Sequence, residues 1–270
     1  MTKAYAEVIG DPIAHSKSPL IHGFWIDQLG LGAEYRQHHV TADGLADYFA
    51  ARRADAAWRG CNITLPHKQA ALEFVEDRGD VRATIGAINL ALRAEDGALI
   101  GTNTDAGGFY APIAEVDLTG APIVVIGAGG AARAVLFALS RIGVGPVTIL
   151  NRNVLKAAAL LAAFGLKGQA LPLGAALPAA ALLVNTSALG MADRPPLEID
   201  LAPLPEDALV YDIVYAPLET PLLRAARARD LATVDGLEML IGQAALAFEL
   251  LFDAAPPRER DDALRALLTA

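Results

Sequence analysis

Ile123-Val124-Val125-Ile126-Gly127-Ala128-Gly129-Gly130-Ala131-Ala132 is the stretch that decides the fold. Four aliphatic residues without polar alternation suit a strand buried on both faces, as in a parallel sheet. They run straight into a Gly-x-Gly-x-x-Ala turn, and an alanine-rich helix over 130–142 leaves it. Gly127 permits a tight turn, Gly129 lets the backbone approach a pyrophosphate, and Ala132 allows close packing of helix on strand. Around Ala128, Gly130 and Ala131 the main-chain N–H groups of a helix N-terminus favour anions. Strand, turn and helix together predict a dinucleotide-binding unit.

Downstream, strands over 146–150, 181–185 and 208–214 alternate with helical segments such as 153–164. Such alternation predicts a doubly wound, Rossmann-type parallel sheet. Residues 168–192 carry no charge, but Pro172, Gly174 and Pro178 interrupt them. They read as a loop, a short helix and a buried strand, not as a membrane span. Upstream lie a strand over 4–9 and a helix from Pro19 with Ile21, Phe24, Trp25 and Leu29 on one face. A strand over 34–40, a helix over 43–53, a strand over 61–65 and a helix opening at Pro66 follow. Two further strands, within 86–93 and 98–100, pair around Asp96-Gly97. A last long helix covers 237–252. The expectation is an α/β chain of two domains. The first is an N-terminal α/β domain over 1–104, completed by 237–270; the second is the Rossmann-type domain over 105–236.

Of the 270 residues, 54% are hydrophobic but only 6% aromatic, which suits a helix-rich α/β protein better than an all-β one. A formal charge of −9 disfavours a nucleic-acid partner. One cysteine, Cys61, excludes an internal disulfide and fits a reducing compartment. The opening residues lack the apolar core of a signal peptide, so a soluble, cytoplasmic protein without a membrane partner is expected. Adjacent His38 and His39 face opposite sides of a strand, and no other cluster suggests a metal.

The strand over 146–150 ends in Asn151-Arg152-Asn153, without the acid that usually holds the ribose of NAD. The Arg152 guanidinium can hold a 2′-phosphate, with Lys156 as a second positive charge, so NADP(H) is expected. Asn62 and Thr64, two apart in one strand, should point the same way. Lys68 falls in the first turn of the expected helix, where a cation opposes the dipole; that suits an acid/base lysine, although a solvated surface lysine is the plainer reading.

Five separated motifs tilt the balance: His15-Ser16-Lys17-Ser18-Pro19, Asn62-Ile63-Thr64-Leu65-Pro66-His67-Lys68, Gly86-Ala87-Ile88-Asn89, Asn103-Thr104-Asp105-Ala106-Gly107-Gly108, and Gly236-Leu237-Glu238-Met239-Leu240-Ile241-Gly242-Gln243-Ala244. In this order, with the glycine turn and Asp212-Ile213-Val214-Tyr215, they make nearly the whole chain resemble the shikimate dehydrogenase family. The resemblance implies reversible NADPH-dependent reduction of 3-dehydroshikimate to shikimate, in aromatic amino-acid biosynthesis. It implies that Ser16 and Ser18, helped by Tyr215, bind the substrate carboxylate. Thr64, Asn89, Asp105 and Gln243 would hold ring hydroxyls, with Asn62 shaping the pocket. Lys68 would exchange the proton at the reacting oxygen, with Asp105 as its partner. Ile213 and Gly236 would join Gly127–Ala132, Asn151, Arg152, Asn153 and Lys156 around the cofactor.

Alternatives stay open. His15 or His67 could donate the proton in place of Lys68, and Ser18 or Asp105 could serve as a helix cap. The family commonly has threonine where Leu90 stands, which puts the ring-hydroxyl preference in doubt, and threonine where Asn153 stands, which bears on strictness toward NADP. A quinate or amino-shikimate paralogue with relaxed cofactor use remains a rival, as does a non-catalytic ligand sensor. Retention of Lys68 and Asp105 argues against the sensor. The site is expected in the cleft between domains, with the helix from 237 carrying Gln243 back to the first. Monomer and homodimer both fit the family.

Overall fold

The first sheet grows from β1 (Ala4–Gly10), buried from its second residue onward. The computed structural model describes residues 3–270. Its two compact units are Met1–Thr104 with Gln243–Ala270, and Asp105–Gly242.

In the first unit β1 leads through α1 (Ser18–Leu29) to β2 (Ala33–His39), then through α2 (Leu45–Ala54) to β3 (Trp58–Ile63). After α3 (Val81–Thr84) come β4 (Leu90–Arg93) and β5 (Leu99–Thr102). The sheet order is β2-β1-β3-β4-β5, parallel around β1 and antiparallel from β3 to β5. The carboxyl ends of β1, β3 and β5 and the amino end of β4 therefore share one edge.

Two local expectations fail here. α1 buries Ser18, Ile21, His22, Trp25 and Ile26, while Leu29 is 39% exposed and Phe24 is half-buried. The buried stripe rotates because His22 enters the core, its ring stacked on Tyr35 at 4.0 Å. No α-helix opens at Pro66: turns run to Gln69, then a 3-10 turn over Ala70–Phe74. The segment is pinned to its neighbours instead. The Lys68 carbonyl accepts from the Ile88 N–H at 2.8 Å, and the His67 ring bonds the Val40 carbonyl at 2.6 Å. The dipole argument for Lys68 thus has no α-helix to rest on.

The second unit begins with α4 (Asp105–Tyr110). It alternates β6 (Ile123–Ile126), α5 (Gly130–Ile142), β7 (Val147–Leu150), α6 (Val154–Ala163), β8 (Gly168–Leu171), β9 (Leu182–Asn185), β10 (Leu209–Asp212), α7 (Pro221–Arg227) and β11 (Ala232–Val234). All these strands pair in parallel, in the order β11-β10-β9-β6-β7-β8. Strand order reverses between β6 and β9, the switch point at which such sheets bind ligands. Val124, Ile126, Leu183 and Val210 form one face of the core with Leu222 and Leu223 of α7. Edge strands β8 and β11 escape a sequence reading because they are short and carry no buried apolar run. The stretch 168–192 consequently holds two strands and no helix. α8 (Gly236–Phe252) opens in the second unit and continues into the first, and α9 (Asp261–Thr269) packs on α1.

Candidate active site

At the shared edge of the first sheet, three buried polar residues close a network. The Asn89 Nδ2 donates to Thr104 Oγ1 at 2.8 Å and to Gln243 Oε1 at 3.1 Å, and the Thr104 N–H donates to Asn89 Oδ1 at 2.7 Å. Exposures of 2%, 4% and 8% for Asn89, Thr104 and Gln243 make these bonds obligatory, since buried amides without partners are costly. Thr104 is the residue that sequence reasoning missed. It stands inside a quoted motif, but a threonine alone gives no sign of burial between two amides.

Lys68 is half-buried, and the bond from its carbonyl to Ile88 sets it beside the Asn89 segment. Thr64, also half-buried, donates its N–H to the Ile9 carbonyl at 2.9 Å. β3 ends at Ile63, so the strand alternation that paired Thr64 with Asn62 does not reach Thr64. Asn62 is instead engaged with the aromatic cluster, its Oδ1 accepting from the Tyr35 hydroxyl at 2.6 Å.

Ser16 and Ser18 follow β1 on the same edge. The Ser18 N–H donates to Ser16 Oγ at 3.3 Å, and the Lys17 ammonium donates to the Leu268 carbonyl in α9. Lys17, not Ser18, occupies the N-cap of α1, so capping does not account for the buried Ser18. His15 is exposed. His67 is buried, and since a carbonyl only accepts, its Nε2 proton is committed to Val40. That favours Lys68 over His67 as the proton donor.

The second unit presents the dinucleotide features. Gly127 has φ +105°, and a Cβ there would lie 2.8 Å from Thr186 Oγ1, so glycine is required. A Cβ on Gly129 would meet nothing within 4 Å, and α5 starts without a side-chain cap. Open space beside uncapped N–H groups fits a phosphate. Ala128 and Ala132 are buried, while Gly130 and Ala131 are half-buried. Arg152 and Lys156 are exposed at the end of β7. Asn151 donates to the Asn153 carbonyl at 2.9 Å, and Asn153 caps α6 by accepting from the Lys156 N–H at 3.0 Å. Asparagine and threonine both serve as N-caps, so the departure at Asn153 preserves that role. A Cβ on Gly236 would lie 2.4 and 2.5 Å from the Ile213 and Val214 carbonyls, which fixes glycine at the start of α8. Asp105 is buried at the head of α4. Burial raises the half-buried Tyr215 phenol above its usual range. The uncapped N–H groups at the start of α5, with the exposed Arg152 and Lys156, suit a phosphorylated dinucleotide.

Elsewhere the chemistry is structural. Cys61 is fully buried, and desolvation pushes its thiol up to about 12. Among the described residues no group of three His, Cys, Asp or Glu could hold a metal ion, and no helix is long and apolar enough to cross a membrane.

Residues 8–91 match the family model of the shikimate dehydrogenase substrate binding domain, and residues 111–182 match that of shikimate / quinate 5-dehydrogenase. Residues 236–263 match the shikimate 5'-dehydrogenase C-terminal domain. A shikimate dehydrogenase (NADP(+)) of Sphingopyxis alaskensis is 68% identical over 266 residues, covering 98% of this chain and 97% of the relative. The chain belongs to the shikimate dehydrogenase family. The shikimate 5-dehydrogenase of Thermus thermophilus, solved with NADP(H) and shikimate, is 39% identical with a TM-score of 0.86, covering 97% of this chain and 99% of that one. The quinate dehydrogenase of Corynebacterium glutamicum, solved with NAD, is 29% identical with a TM-score of 0.85, over 98% of this chain and 99% of that one.

Within the family, Leu90 is the departure that bore on substrate choice. Its side chain is fully buried and packs with Ala6, Ala247 and Leu251. The leucine is held by core packing.

Proposed function

We propose that the protein catalyses the reversible, NADPH-dependent reduction of 3-dehydroshikimate to shikimate. The observation that carries this reading is the Asn89–Thr104–Gln243 network beside the Lys68 turn, in a chain 68% identical to an NADP-dependent shikimate dehydrogenase. Residues 1–104 with 237–270 act as the substrate domain, and 105–236 as the NADP domain. Bound NADPH supplies the hydride that reduces the carbonyl carbon. Lys68 gives its Nζ proton to the carbonyl oxygen and takes it back in the oxidative direction. Its positive charge stabilises negative charge developing on that oxygen.

Ser16, Ser18 and Tyr215 hold the carboxylate; Thr64, Asn89, Asp105 and Gln243 hold the ring hydroxyls. Several convergent bonds are needed because a cyclic polyol must present one carbon and no other. Asn62 contributes indirectly, by bracing β3 through Tyr35. Gly127 to Ala132 receive the pyrophosphate, while Asn151, Arg152, Asn153 and Lys156 surround the 2′-phosphate. Ile213 and Gly236 border the remainder of the cofactor. The single buried thiol supports a cytoplasmic setting.

Initial rates with shikimate and quinate, each with NADP+ and NAD+, test the reading. Shikimate with NADP+ should be the preferred pair by a wide margin. Preference for quinate with NAD+ would reassign the protein within its family, and oxidation of neither would favour a ligand sensor.

A further inference from the structure

Asp212 ends β10 with no exposed surface. Its carboxylate gathers donors from three segments: Asn185 Nδ2 at 2.9 Å, the Val214 N–H at 3.1 Å and the Thr220 hydroxyl at 2.7 Å. Burial pushes the carboxyl above its usual range, against the pull of those bonds, and among the described residues no cation pairs with it. A buried carboxylate held only by neutral donors is costly to build, so what it organises matters.

Each donor anchors a loop. Asn185 Oδ1 accepts from the N–H and hydroxyl of Ser187 at 3.0 and 2.7 Å, and Asn185 Nδ2 also reaches the Leu189 carbonyl at 3.1 Å. Thr220 caps α7 by accepting from the Leu223 N–H at 3.2 Å. The Val214 bond fixes the backbone on which Ile213 and Tyr215 stand, and Gly236 packs against the Ile213 and Val214 carbonyls. Asn185 pairs with Ile126 in the sheet, and Thr186 Oγ1 donates to the Ile126 carbonyl at 2.6 Å. The turn over 186–190 thus stands next to the glycine turn. Arg152 follows β7 on one side of β6; β9 and β10 lie on the other. With the pyrophosphate at Gly127–Ala132 and the 2′-phosphate at Arg152, the far half of the dinucleotide extends over the segments that Asp212 ties together.

We propose that Asp212 is a positioning residue for the dinucleotide, holding 186–190 and 213–215 in the arrangement that receives its nicotinamide half. This rests on the NADP-binding reading above. The test measures NADPH affinity by fluorescence titration in Asp212→Ala, Asp212→Asn and Thr220→Val, alongside adenosine 2′,5′-bisphosphate, which carries only the adenine half. Asp212→Ala should weaken NADPH about tenfold or more, and Thr220→Val about threefold. Asp212→Asn should recover most of the loss, because an amide accepts from Asn185 and Val214 and donates to Thr220. Affinity for the bisphosphate should not change. Unchanged NADPH affinity, or equal loss of both ligands, overturns the proposal. Should Asp212→Ala fail to fold, Thr220→Val decides by the same two ligands. If the unaltered protein binds no NADPH, the function proposed above falls, and this inference with it.

Discussion

Asn89 and Gln243 stand 154 positions apart, yet the carboxamide nitrogen of one lies 3.1 Å from the carboxamide oxygen of the other. Thr104 closes the arrangement, so an amide on α8 and an amide at the head of β4 orient each other inside one network. Buried networks of this kind gain from every member and lose disproportionately when one goes.

Thr104→Val keeps the shape and the backbone N–H but deprives Asn89 Nδ2 of its 2.8 Å acceptor. The expected cost is about 1–3 kcal/mol of stability. Because Asn89 loses a fixed orientation, the KM for shikimate should rise more than that for NADP+. Equal changes in both would show that Thr104 only supports the fold.

Lys68→Ala removes the proposed proton donor while leaving the backbone bond to Ile88. Turnover should fall by about 100-fold or more, with KM for shikimate little changed. Retained turnover would exclude the assigned role, and a pH–rate profile would then identify the group that replaces it.

Arg152→Ala removes the exposed guanidinium proposed to hold the 2′-phosphate. Steady-state kinetics should show KM for NADP+ rising much more than KM for NAD+. A parallel rise would point to a contact shared by both cofactors.

Leu90→Thr would introduce a hydroxyl into a fully buried apolar cluster. Lost packing and a buried hydroxyl should cost about 1–3 kcal/mol, read from denaturant midpoints. The ratio of kcat/KM for shikimate over quinate should stay as it was; a shifted ratio would mean that the position touches the substrate after all.

His22 is buried against Tyr35 and Phe248, and burial lowers its pKa from 6.5 to about 3. Between those values the unfolded chain takes up a proton that the folded chain refuses. Stability from this residue is therefore complete above pH 6.5 and falls as the pH drops towards 3, by up to about 1.4 kcal/mol per pH unit. In His22→Phe the decline over this window should be shallower, as urea unfolding at stepped pH would record. Parallel curves for the two proteins would rule His22 out as a source of acid sensitivity.

Local pattern carried much of the architecture. An unbroken aliphatic strand entering a glycine turn specifies a buried parallel strand and a helix start, because both depend on residues within one turn of each other. For the same reason the helix after Gly129 and the strand Val147–Leu150 were legible to within a residue. Edge strands β8 and β11 were not, since a strand with half its surface wet carries little hydrophobic signal. The motifs around Ser16, Lys68, Asn89 and Gln243 named residue types suited to binding and proton transfer. Nothing in them said that Lys68 would sit on a turn pinned to Ile88, that His22 would enter the core, or that Leu90 would join Ala247 and Leu251. Those outcomes depend on which groups meet across separations that run from tens of residues to more than a hundred. Only the closed packing of α1, α8 and the first sheet settles that, by excluding water and leaving each buried polar group to find its partner inside.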